Sequence, residues 1–113
     1  MKKIAFKTVK MSLNGNETDL DYKENMMSLL LIPSDPKGGA SYAEMATVLP
    51  IHAKFKDASS YVLLEDAEHA ELCTRLKSAK FVQNTPEIFE MIRSAVDAPE
   101  HLVEAEANKN GAS

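Results

Sequence analysis

Lys3-Ile4-Ala5-Phe6-Lys7-Thr8-Val9-Lys10-Met11-Ser12-Leu13-Asn14-Gly15-Asn16-Glu17-Thr18-Asp19-Leu20-Asp21-Tyr22 is the stretch that separates an α+β fold from an all-helical one. Ile4 and Phe6 fall on one side and Lys3 and Lys7 on the other, the two-residue period of a half-buried strand, which is expected to continue to Leu13. Asn14-Gly15-Asn16 tolerates the positive φ of a tight turn, and Leu20 and Tyr22 then alternate with acids. The pattern predicts a β-hairpin over 3–22, with Lys7 or Lys10 across from Asp19 or Asp21, a favourable but individually small pairing.

Downstream the period changes to that of helices. Residues 23–32 contain no helix breaker, and Met26, Met27, Leu29, Leu30, Leu31 and Ile32 cover nearly every direction around a helix, so the segment must be buried or capped by a partner. Pro33, Pro36, Gly38 and Gly39 end it in a loop. Ser41 with Glu44 fits a capping box that opens the next helix. That helix has two apolar stripes, Tyr42, Met45, Ala46, Leu49 and Ala53 on one side and Val48, Ile51 and Phe55 on another, which predicts neighbours on both. Pro50 removes a backbone donor and predicts a kink or two short helices meeting near Leu49.

Tyr61-Val62-Leu63-Leu64 reads as a short strand or connector. Asp66 is the expected cap of a third helix, whose Glu68 and Glu71 come early and Arg75, Lys77 and Lys80 late, in keeping with the helix dipole. Its buried stripe is expected at His69 or Ala70, Cys73, Leu76 and Leu72. Thr85-Pro86-Glu87 starts a fourth helix with Ile88, Met91, Ile92, Ala95 and Val96 on its apolar face. The expected architecture is α+β and mostly helical, an N-terminal hairpin followed by about four helices, the second interrupted near Pro50. One domain over 1–98 is expected, with hairpin 3–22 and helical part 23–98, and a partly disordered tail over 99–113.

The 113 residues, 44% apolar and 27% charged, suit a single globular core. Cys73 is the sole cysteine, which excludes an intramolecular disulfide and suits a reducing cytosol. Lys7 and Lys10 interrupt what would have to be a signal peptide's apolar stretch, and the apolar run 26–32 falls far short of the ~20 residues that span a bilayer. No membrane partner is expected. Lys2, Lys3, Lys7 and Lys10 make the first ten residues +4 in a chain of net charge −4, so the remainder carries −8. Four lysines without arginine or interleaved aromatics, on an acidic body, argue against nucleic acid and for a solvated strand edge that resists stray pairing.

Asp66, His69 and Cys73, three and four apart, share one helix face and form the best candidate for chemistry, either as metal ligands or as a thiol activated by histidine. Three groups fall short of a structural zinc site, His52 and His101 stand apart, and a lone cysteine is ordinarily a small buried hydrophobe. A triad of Ser59 or Ser60, His69 and Asp66 lacks any nucleophile-elbow signature. Glu65, Asp66, Glu68 and Glu71 lack the spacing of a calcium loop. The loop 34–39, Ser-Asp-Pro-Lys-Gly-Gly, places glycines before a helix but lacks the Gly-Lys-Ser/Thr arrangement of a phosphate loop, which favours a plain connector. No catalytic, cofactor-binding or metal residue is expected, and no cofactor.

Tyr42-Ala43-Glu44-Met45, Leu63-Leu64-Glu65-Asp66 with Leu72, Phe81 and Ile88-Phe89 give the region of roughly residues 40–98 a resemblance to small tailed-phage-encoded proteins of unassigned function. These are packing and capping residues, so the resemblance implies no functional residues. It implies a phage accessory or virion (tail or head) assembly component that works through protein contacts, in the host cytoplasm or the virion. The expected function is accordingly a non-enzymatic interaction module, homo-oligomeric or bound to a phage or host protein, with Lys3, Lys7, Lys10, Met26, Met27, Leu30 and Leu31 as candidate interaction surface. A counter-defence inhibitor is one alternative. Another is a small-ligand or nucleotide binder that holds an anion between the basic hairpin, Lys37 and the Gly38-Gly39 loop.

Overall fold

The computed structural model describes residues 1–81 and 84–101. Among them are four strands, β1 (Lys2–Ala5), β2 (Thr8–Leu13), β3 (Asn16–Asp21) and β4 (Tyr61–Leu64), and four helices, α1 (Tyr22–Leu30), α2 (Tyr42–Asp57), α3 (Asp66–Ser78) and α4 (Pro86–Val96). The fold is α+β. No described helix is long and apolar enough to cross a membrane.

The hairpin forms, but over 8–21. Leu13 pairs with Asn16 around Asn14 and Gly15, at φ 53 and 80, the two positive values that a type I′ turn requires. Lys10 faces Asp19, with Nζ 2.6 Å from Oδ1. The expected continuous strand from Lys3 to Leu13 is corrected, because β1 leaves the hairpin and pairs antiparallel with β4, Ile4 opposite Val62. The reason is length. β3 has six residues before Asp21 becomes the N-cap of α1, its carboxylate accepting from the Glu24 N–H at 3.1 Å, so it can pair only the six residues of β2. The apolar segment at 61–64 satisfies the rest. The far edge of β1 is not bare either, since Lys2 forms a bridge with Glu100 and the Lys3 N–H donates to the Pro99 carbonyl at 3.0 Å. Residues 99–101 thus lie against the sheet instead of opening a tail, and the remainder of the expected tail lies outside the described residues.

Each helix buries one face. Tyr22, Met26 and Leu30 of α1 are spaced four apart and fully enclosed, with Leu72 and Leu76 of α3, Val48, Ile51 and Phe55 of α2, and Met91 and Ala95 of α4 around the same core. On α3 the buried positions are Leu72 and Leu76, while His69 and Cys73 lie half-buried at the flank. Glu65, not Asp66, is the N-cap of α3, and Asp66 is its first residue; the Glu65 N–H donates back to Glu68 at 2.9 Å. Either acid suits that position, and the chain enters the helix one residue earlier. Thr85 and Pro86 take their expected places at the start of α4.

Two expectations for α2 are corrected. It is one helix from Tyr42 to Asp57 with Pro50 inside it, which overturns the alternative of two short helices meeting near Leu49. Pro50 and Ala46 are both exposed, so the carbonyl that loses its partner to the proline ring can be hydrated instead of orphaned in the core. The helix is also not sandwiched between neighbours. Among the described residues only the Val48, Ile51 and Phe55 face is covered, and the other stripe is exposed.

Candidate functional site

That open stripe is the largest departure from a finished core. Tyr42, Met45 and Leu49 are 85, 42 and 47% exposed, with Ala43, Ala46, Pro50 and Ala53 exposed between and beside them. From Tyr42 to Ala53 the only acidic or basic side chains are Glu44, turned inward, and half-buried His52, so the solvent side of three helical turns carries no Asp, Glu, Lys or Arg. Leu31 and Ile32, at the end of α1, are 50 and 49% exposed and line a crevice with Pro33, Met45 and Leu49. Scattered exposed hydrophobes are normal, but a contiguous uncharged apolar face is the usual mark of a contact site.

A polar hub holds this face in shape. Arg75 of α3 reaches Glu44 through Nη2 at 2.8 Å and Glu71 through Nε at 2.8 Å, and its Nη1 donates to the Ile32 carbonyl at 3.0 Å. The same Glu44 oxygen accepts from the Ser34 N–H and hydroxyl, both at 2.8 Å. Arg75 and Glu44 side chains are only 10 and 13% exposed, so the hub is well shielded and the end of α1 is pinned beside α2. The expected capping box at Ser41 is therefore half made: Ser41 Oγ accepts from the Glu44 N–H at 3.1 Å, while the Glu44 carboxylate turns to Arg75 and Ser34.

The expected surface residues do not stay together. Met26 and Leu30 are fully buried core residues, a correction, and Met27 packs partly buried against the core. A helix apolar on all sides shows that it will be covered but not which side the chain itself covers. Leu31 alone of that group is open, and it belongs with the α2 face. Lys3 lies over the Tyr61 ring at 4.5 Å and Lys7 over Tyr22 at 5.5 Å, whereas Lys10 is spent on Asp19. Lys3 and Lys7 share a crevice with Tyr22, Ser94 and Pro99, and Lys37 is not part of it. The loop at 34–39 uses its own donors: the Lys37 N–H goes to Asp35 Oδ1 at 3.0 Å and the Gly39 N–H to the Asp35 carbonyl at 2.8 Å. A Cβ at Gly38 would sit 2.2 Å from Asp35 Oδ2, so a side chain there would require the Asp35 carboxylate to move. Two of the loop's backbone donors thus close the turn.

The face with Asp66, His69 and Cys73 is brought together only in part. His69 Nε2 lies 2.8 Å from the Ala95 carbonyl, which can only accept, so that nitrogen carries the proton. Cys73 Sγ is 3.4 Å from Nε2 and 3.8 Å from Nδ1. Burial pushes the Cys73 thiol up from its ordinary value, with Lys77 opposing, which keeps the sulfur protonated and weakly nucleophilic. Asp66 is exposed and makes no hydrogen bond to either residue, and neither Ser59 nor Ser60 is bonded to His69. Among the described residues no three His, Cys, Asp or Glu side chains are grouped to hold a metal. A second apolar cleft, of about 770 Å³, lies where α3 ends and α4 begins, lined by Phe81, Ile88, Phe89 and Ile92.

Fold and site together define an α+β domain that presents a charge-free, apolar helical face. The chain matches no family model, no curated protein and no solved structure.

Proposed function

We propose that this chain is a non-enzymatic protein-interaction module whose contact surface is the outer face of α2 with Leu31 and Ile32. The observation that carries the reading is that face: apolar, uncharged from Tyr42 to Ala53, and held beside the end of α1 by the Arg75 hub. Desolvating it costs little, because none of its exposed side chains is ionised. Within this class we place the chain as a phage accessory or virion-assembly component, with inhibition of a host defence protein as the alternative role. The support for a phage origin is the resemblance over residues 40–98, and adjacency of the gene to tail or head genes, or to early counter-defence genes, chooses between the two roles.

The test is affinity capture from host cells with the wild-type chain and Leu49→Glu as baits, after both show the same circular dichroism and melting. Partners that bind the wild type and vanish with Leu49→Glu are expected. An identical set on both baits removes the α2 face from the reading.

A further inference from the structure

We propose that the occupant of the α2 face is a second copy of this chain, docked antiparallel, α2 on α2, about a two-fold axis that crosses the helix between Ala46 and Leu49. This rests on the interaction reading above and names its partner. Charge is the first argument. Outside its first ten residues the chain carries −8, so approaches that do not set the basic N-terminal segment of one copy on the acidic body of the other oppose like charges, while the 42–53 face offers one that meets none. The same absence of charge leaves nothing there to recognise a basic or acidic partner.

Shape is the second argument. In a two-fold antiparallel pairing centred on this stretch, Tyr42 of one copy falls opposite Ala53 of the other, and Ala46 opposite Leu49. Each large side chain thus meets a small one twice over, as an isologous contact demands. These four residues lie along one line of the helix, at spacings of four, three and four. Area is the third. With Met45, Leu31 and Ile32, 42 to 50% exposed, the apolar face extends beyond one helix line, in the direction of the ~800 Å² per partner of a standard-sized interface. A face confined to one helix and the end of α1 is smaller than the interfaces of obligate dimers, so the expected association is reversible.

The experiment is sedimentation of the full chain from ~1 to ~300 µM. A monomer–dimer equilibrium is expected, weakened at least tenfold by Leu49→Glu with its melting temperature retained. A directional check uses Ala46→Cys and Leu49→Cys, each in a Cys73→Ala background: the equimolar mixture should oxidise to a 46–49 cross-linked dimer faster than either protein mixed with a Glu87→Cys control. A wild-type monomer throughout the range overturns the proposal, as does a dimer indifferent to Leu49→Glu or a mixture that cross-links no faster than the control. If the chain is monomeric yet Leu49→Glu still abolishes capture of another protein, the interaction reading stands and only the second copy is wrong. If capture is also indifferent, both fall.

Discussion

Arg75 Nη2 lies 2.8 Å from Glu44 Oε2, joining α3 to α2 over the end of α1. Because the same guanidinium also holds Glu71 and the Ile32 carbonyl, its loss strands three acceptors at once. Arg75→Ala is expected to lower the melting temperature by several degrees and to raise hydrogen exchange at residues 31–34 specifically. Arg75→Lys should rescue little, since an ammonium lacks the planar fork that serves these acceptors together. Unchanged exchange at 31–34 in Arg75→Ala would contradict the hub's role.

The hub should also be visible in acid. The N–H of Ser34, then the Arg75 guanidinium and the Ser34 hydroxyl, hold the Glu44 carboxyl below its ordinary value of 4.5. A carboxylate depressed on folding contributes stability that is complete above its unfolded value and is lost as pH falls through the folded one. The difference in urea midpoint between wild type and Glu44→Gln is therefore expected to be steady from neutral pH down to about 5 and to shrink below that. A difference that persists unchanged into strong acid argues against the ion pair.

Core and face make opposite forecasts for similar truncations. Leu72 is fully buried, so Leu72→Ala is expected to cost about 2–5 kcal/mol in equilibrium unfolding. Phe89 is mostly exposed, and Phe89→Ala should fall within ~0.5 kcal/mol of wild type. A large loss at Phe89 would show that the cleft at the start of α4 is part of the core.

Pro50 sits inside α2 on its solvent side. Pro50→Ala restores an N–H to the helix ladder and removes the ring's clash with the turn before, and is expected to stabilise the chain by about 1–3 kcal/mol. A destabilised Pro50→Ala would mean that the helix depends on the bend or packing the ring supplies.

Cys73 offers a test of thiol reactivity. With its thiol shifted upward by burial, alkylation in the folded chain at neutral pH should run slower than in a small free thiol and speed up on unfolding. Faster alkylation in the folded state would revive the reading of a thiol activated by His69.

What the sequence made legible was local. Asn14-Gly15, Ser41, Thr85 and Pro86 act through the backbone groups next to them, and each stands where it was expected. Glu65 and Asp66 are adjacent acids with the same capping ability, so residue type could not choose between them. The pairing of β1 with β4 leaves no mark near Ala5, because its cause is the shortness of β3 and an apolar segment far along the chain. The site was half legible for the same reason. Both stripes of α2 were visible, yet whether a second neighbour covers Tyr42 and Leu49 depends on how many elements remain to do so. Arg75 read as a helix-dipole cation, and nothing local tied it to Glu44. Met26 and Leu30 were recognised as needing cover; that α2 and α3 provide it is a tertiary fact.

β1 carries a further consequence, for synthesis on the ribosome. The two strands of the 8–21 hairpin emerge one after the other, but β1 waits for β4, about sixty residues on, and then for Pro99 and Glu100 on its other edge. At 5–20 residues per second the first delay alone is roughly 3 to 12 s, during which Ile4 is unpaired and its apolar side chain is available to any passing strand. Lys2, Lys3 and Lys7 flank it throughout that interval, and charge beside an unpaired strand discourages mispairing, so the lysines that meet Glu100, Tyr61 and Tyr22 in the finished fold stand at the open edge before most of those partners have been made.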